Sequence, residues 1–137
     1  MTITQRRPRL PEVALPAMNR VHAEELALLE RLARTLEAGD EAGIDALLAE
    51  FSEHMEAHFA GEERRMEQAA FPPYPMHRAE HDRLRAELSE VRERWARERD
   101  PEALARWFFG DYCDWLETHV ATMDHVTAAF LAARGME

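Results

Sequence analysis

Apolar side chains recur along this chain in steps of three and four, and the pattern breaks at only three places. The first stripe starts behind Pro16 and reads Met18, His22, Glu25, Leu29, Leu32 and Leu36; it stops at Gly39, a residue suited to the left-handed turn that ends a helix. Asp40 can cap a second stripe of Ile44, Leu48, Phe51, Met55, His58, Glu62 and Met66. That helix must end before Phe71-Pro72-Pro73-Tyr74-Pro75, where three prolines forbid continuation. The third stripe follows Pro75 with His77, His81, Leu84, Leu88, Val91 and Trp95. Asp100-Pro101, a capping side chain followed by proline, opens the fourth: Leu104, Phe108, Tyr112, Trp115 and His119, continued by Met123, Val126 and Phe130. No alternating segment competes as a strand. A composition rich in Ala, Leu, Glu and Arg, with 5 glycines, favours helix as well. The expected fold is all-α: an antiparallel up-down-up-down four-helix bundle over residues 16–137, preceded by a short N-terminal arm over 1–15.

Polar residues interrupt these stripes, and they do so at one end. With short connections, consecutive helices run antiparallel. His22 lies near the start of the first helix, and His58 and Glu62 near the end of the second. His77 and His81 start the third, while His119 and Asp124 come late in the fourth. Alternating direction brings all seven groups to the same end. His58/Glu62 and His77/His81 are spaced by four, which puts each pair on one helix face with Cβ atoms about 5–6 Å apart. Five imidazoles and two carboxylates suit a pair of transition-metal ions. Without metal they would be a buried polar cluster, at about 1–3 kcal/mol for each group left unsatisfied.

The ligand types narrow the metal. Cys113 is the sole cysteine, so there is no intrachain disulfide and no thiolate cluster. Among Phe109, Tyr112 and Trp115 it reads as a small packed side chain. Mixed imidazole and carboxylate donors suit iron, with manganese, zinc or cobalt as alternatives in vitro, and two ions bridged by Glu62 and Asp124 use seven ligands economically. The other large class of helical di-iron bundles needs repeated Glu-x-x-His motifs, and none of the 7 histidines has a glutamate three residues before it.

A net charge of −10 argues against a nucleic-acid or anionic-membrane surface, Arg6, Arg7 and Arg9 being the one local exception. No apolar run is long enough to span a bilayer. Met1 to Pro16 lacks the apolar stretch of a signal peptide, so a cytoplasmic location is expected. The apolar stripes are consumed by the bundle itself, so a monomer is adequate.

At this point the chain resembles the hemerythrin family, the HHE cation-binding domain in its bacterial form. The matching text is His22; His58-Phe59-Ala60-Gly61-Glu62-Glu63 with Met66; Tyr74-Pro75 with His77 and His81; and Trp115-Leu116, His119-Val120 and Asp124. The resemblance covers residues of about 18–130. It implies a non-haem, oxo- or hydroxo-bridged di-iron centre. His77, His81 and His119 would hold one iron, His22 and His58 the other, and Glu62 and Asp124 would bridge them. The iron with fewer protein ligands would take up dioxygen as peroxide, for storage, transport or sensing. Phe59, Trp115, Leu116 and Val120 match positions that line the oxygen pocket.

Two departures stand out. Family carriers usually have an apolar residue three positions after the first histidine, where this chain has Glu25. Its place on the stripe points it inward, one turn from His22. A carboxylate there would add a ligand, hydrogen-bond to bound ligand, or relay protons, and each favours turnover over reversible binding. A di-iron oxidase or peroxidase is therefore the competing expectation. His54, one turn before His58, suits a hydrogen-bonding role behind the ligands, and His125 is expected in solvent. The charge runs, such as Glu62-Glu63-Arg64-Arg65, read as solvated faces apart from Glu62 itself.

Overall fold

The computed structural model describes residues 6–137. Four helices form the bundle: α1 (Pro16–Ala38), α2 (Glu41–Gln68), α3 (Tyr74–Glu98) and α4 (residues 101–133). No strand occurs among the described residues. The boundaries follow from the breaks. Gly39 adopts φ 66 and its N–H reaches back to Leu36 and Thr35, closing α1 with a left-handed cap. Asp40 accepts from the Gly43 N–H at 3.0 Å, and Asp100 accepts from the N–H groups of Glu102 and Ala103. The proline-rich turn is shorter than expected. α3 starts at Tyr74 and takes Pro75 into its first turn, where a missing N–H costs nothing.

Between the helices lies one core, with Leu29, Phe51, Phe59, Phe108 and Leu116 at most 2% exposed. The described part of the arm packs on it: Leu15 is fully buried, and Val13 exchanges two hydrogen bonds with the Asn19 side chain. Residues 1–5 of the expected arm lie outside the described residues.

The fourth helix departs from its expected stripe. α-Helical Pro101–Arg106, Cys113–His119 and His125–Ala133 alternate in it with π-helical Trp107–Tyr112 and Val120–Asp124. Each π segment widens the turn by one residue and shifts the register. The buried line after His119 is consequently Val120, Asp124, Thr127, Ala128 and Leu131. Met123 and Phe130 are only half-buried and Val126 is 53% exposed, so the continuation through Met123, Val126 and Phe130 is corrected. Wider turns displace carbonyls from their usual donors, and side chains serve them. The Arg6 guanidinium donates to the Phe109 and Gly110 carbonyls at 3.1 and 3.2 Å, and the Cys113 thiol to that of Phe108. Burial pushes that thiol up to about 12, in keeping with a packed rather than reactive cysteine.

A π segment is a one-residue insertion in an α-helix, which gives a test. Deleting exposed Ala121 from the second π segment restores α-helix, and everything beyond keeps its face. Deleting exposed Ala86 from all-α α3 rotates all later residues of that helix by about 100°. Thermal unfolding of the metal-free proteins is expected to show a cooperative transition within a few degrees of the parent for the first deletion. The second is expected to lose cooperative folding. Equal damage from both would refute the insertion reading.

Candidate metal centre

All seven expected donors converge at one end of the bundle and are buried: His22 3%, His58 6%, Glu62 1%, His77 2%, His81 0%, His119 4% and Asp124 0% exposed. They fall into two groups that share Glu62. Glu62, His77, His81 and His119 form one, and His22, His58, Glu62 and Asp124 the other; within each, one donor atom per residue lies within 4.8 Å of the rest. Each carboxylate presents one oxygen to each side. Glu62 Oε2 is 2.8 Å from His58 Nε2, while its Oε1 is 3.3 Å from His81 Nε2 and 3.6 Å from His77 Nε2. Asp124 Oδ2 is 3.2 Å from His22 Nε2, and its Oδ1 is 3.1 and 3.2 Å from the Nε2 atoms of His119 and His77.

The spacing of His119 and Asp124 depends on the local helix. Five residues of α-helix turn the second side chain about 140° away from the first. Here Val120–Asp124 is the π segment, whose wider turn returns Asp124 to the face of His119.

Whether a metal fits can be read from the hydrogen bonds. His77 Nδ1 lies 2.9 Å from the Thr127 hydroxyl and His81 Nδ1 2.8 Å from Glu63 Oε2, while His58 Nδ1 and Glu25 Oε2 are 3.3 Å apart without hydrogen-bond geometry. An Nδ1–H that faces an outer acceptor leaves the Nε2 lone pair directed inward, the tautomer a metal requires. His77 and His119 bring their Nε2 atoms within 3.1 Å of each other, and both cannot donate. Glu62 Oε1, Asp124 Oδ1 and His81 Nε2 are buried inside the cluster without a hydrogen-bond partner. Convergent lone pairs and orphaned carboxylate oxygens are what a cation satisfies.

Packing fixes the rings. Phe59 stacks on His81 at 4.0 Å and 3°, and Trp115 on His119 at 4.3 Å and 18°. Leu116 and Val120 are fully buried beside them. A surface cleft of about 220 Å³ reaches His58 and Glu62, and another of about 440 Å³, lined mainly by apolar groups, reaches His77 and Thr127. A cleft of about 620 Å³ between α2 and α3 touches none of the seven donors. The chemistry, not cleft size, identifies the site.

Glu25 is fully buried, so its inward placement holds. It lies in neither donor group but behind His58, with the Tyr112 hydroxyl donating to its Oε1. His54 stands edge-on to His58 at 6.2 Å and belongs to neither group, and His125 is exposed. Glu63 corrects the reading of its charge run as a solvated face. It is 8% exposed and takes hydrogen bonds from Arg85 at 2.8 and 3.0 Å as well as facing His81. Thr127, fully buried behind His77, is likewise unmarked by the sequence pattern. The available signal for both was the outer nitrogen of His77 and of His81, each of which meets an acceptor on a neighbouring helix.

The buried charges balance one another. Burial and the Asp124 carboxylate push the Glu62 carboxyl up, but contacts with His58 and His81 outweigh them and hold it at about 2. Asp124 is held well below the carboxylate range, burial being outweighed by His119, His22 and His77. For His58, burial is outweighed by Glu62 and Glu25, and its pKa is raised well above the usual histidine value.

The sequence comparisons agree with this chemistry. A family model described as Hemerythrin HHE cation binding domain matches residues 13–131. Over 111 residues the chain is 40% identical to the Bacteriohemerythrin of Aquifex aeolicus (strain VF5), covering 81% of this chain and 85% of that protein. Over 115 residues it is 40% identical to the Bacteriohemerythrin of Ralstonia nicotianae (strain ATCC BAA-1114 / GMI1000), covering 83% and 79%.

A pH dependence follows for the metal-free protein. Depressed carboxyls stabilise the fold above their unfolded values of about 4, and that contribution is lost as pH falls, for Glu62 toward about 2. A raised His58 stabilises below about 6.5, and its contribution is lost as pH rises through the folded value. Urea midpoints measured with chelator present are expected to fall on both sides. A flat alkaline limb would show that His58 is not held protonated by these carboxylates.

Proposed function

Because the chain belongs to the hemerythrin family, we propose that its buried donors hold two iron ions and bind dioxygen or a related small ligand, for storage, transport or sensing. The observation that carries this reading is the pair of donor groups joined by Glu62, with Asp124 also reaching both. Among the described residues no helix is long and apolar enough to cross a membrane.

His77, His81 and His119 would hold one ion, His22 and His58 the other, with Glu62 and Asp124 bridging. The ion on the His22 side then has one protein ligand fewer, which leaves a position for the small ligand. Bound iron would supply the electrons that such a ligand takes up and the Lewis acidity that keeps it there. The protein residues do the rest. Thr127 and Glu63 fix the tautomers of His77 and His81, and Phe59 and Trp115 lock ring orientation. Leu116 and Val120 keep water from the buried end, which strengthens every charge interaction there.

Anaerobic reconstitution with ferrous iron is expected to load two irons per chain, and oxygen is expected to produce a visible charge-transfer band that vanishes when oxygen is removed. Loading of about one iron or fewer would sink the di-iron reading.

A second reading, a di-iron oxidase or peroxidase, is favoured by one observation: a fully buried carboxylate, Glu25, stands behind His58 with Tyr112. Raising the basicity of His58 favours oxidation of the iron that it would hold. Glu25→Leu is then expected to lengthen the life of the oxygenated protein, followed as decay of the visible band. If the variant autoxidises no more slowly than its parent, Glu25 has no such role.

A further inference from the structure

Beyond the donor groups, a row of oxidisable aromatic rings runs along α4 from the site toward the opposite end. Trp115 lies against His119. Tyr112 stacks on Trp115 at 5.9 Å and 27°, and Trp107 stacks on Tyr112 at 5.3 Å and 29°. The last step exists because Trp107–Tyr112 is the first π segment, which puts residues five apart on one face. Trp107 ends the row in the wall of a surface cleft of about 180 Å³.

Each of the three rings donates its one polar hydrogen to its own carboxylate. The Trp115 indole N–H meets Glu80 Oε1 at 2.8 Å, the Tyr112 hydroxyl meets Glu25, and the Trp107 indole N–H meets Glu87 Oε1 at 3.1 Å. Glu80 and Glu87 also pair with Arg83 on the surface of α3, whereas Glu25 is fully buried and has the Tyr112 hydroxyl as its donor. A ring that loses an electron becomes far more acidic, the phenol most of all, so an acceptor in place lets the proton leave with the electron.

We propose that Trp115, Tyr112 and Trp107 form a one-electron relay, over which a small reductant at the surface supplies electrons for the reduction of peroxide at the metal centre. This rests on the di-iron reading. Hydrogen peroxide is the oxidant: its O–O bond breaks, and two electrons and two protons convert it to two waters. Each electron leaves Trp115 toward the centre while the indole proton moves to Glu80. Tyr112 refills Trp115 and passes its proton to Glu25; Trp107 refills Tyr112 and passes its proton to Glu87. The surface reductant refills Trp107. Every ring recovers its proton as it is refilled, so the two protons consumed come from solvent and two reductant molecules are oxidised by one electron each.

Iron-loaded protein, first assayed for two irons per chain, is mixed with equimolar hydrogen peroxide and freeze-quenched for electron paramagnetic resonance, with ring-deuterated tyrosine identifying the radical. A tyrosyl signal at Tyr112 is expected, decaying faster when tetramethyl-p-phenylenediamine is added as one-electron donor. In Tyr112→Phe the tyrosyl signal is lost and a tryptophanyl signal replaces it. Trp107→Phe alters no group at the metal end; there the tyrosyl signal persists and the donor no longer speeds its decay. Protein that holds two irons but forms no protein radical overturns the relay alone, as does a signal unchanged in both variants. Failure to bind iron overturns the relay together with the di-iron reading.

Discussion

The structure depends on the mutual neutralisation of charges that could not be buried singly. Glu62 and Asp124 are at most 1% exposed, at the end of a bundle whose core is otherwise apolar. Burial alone would drive both carboxyls to the neutral form. Imidazoles on all four helices face them, and the carboxyls stay low and ionised as a result. Every helix contributes to this neutralisation, so the cluster ties the four together at one end. It also leaves inward lone pairs that protons satisfy poorly, and two cations would satisfy them better.

The second organising feature is the irregularity of α4. A regular helix cannot align His119 with a residue five positions on, nor Trp107 with Tyr112. Two π segments achieve both alignments, and each makes demands on its surroundings. The first leaves the Phe109 and Gly110 carbonyls to Arg6, which draws the N-terminal segment across the helix and pairs with Asp114 at 2.7 Å. The arm is therefore part of how α4 keeps its shape.

Much of this was legible in the residue pattern. Three breaks and four stripes predict the bundle, and topology alone brings seven donors from four segments to one end. Asp124 shows where legibility stops. Its identity fitted a ligand, but the stripe through Met123, Val126 and Phe130 had no place for it, and the two expectations conflicted. The conflict was itself the signal of an extra residue in the helix. Periodicity assumes a constant turn, and a π segment is set by tertiary contacts and by carbonyl acceptors that only the folded chain supplies. Glu63 was missed for a related reason. As one charge in a run of four it looked solvated, yet the His81 nitrogen opposite and Arg85 give it partners that make burial tolerable.

Glu25 joins the two features. Through His58 it touches the charge cluster, and through Tyr112 it touches the ring row that the first π segment aligns. A leucine in its place would avoid the desolvation cost but leave the buried Tyr112 hydroxyl without its acceptor. Apolar residues at both positions 25 and 112 would pack without either cost, so the carboxylate and the phenol are accounted for together. An acceptor between a ligand histidine and a phenol can take the phenol's proton when the ring is oxidised, as the proposed relay requires. Under the proposed relay, electron delivery to the centre depends on this one side chain, which stands between the rings and a ligand histidine.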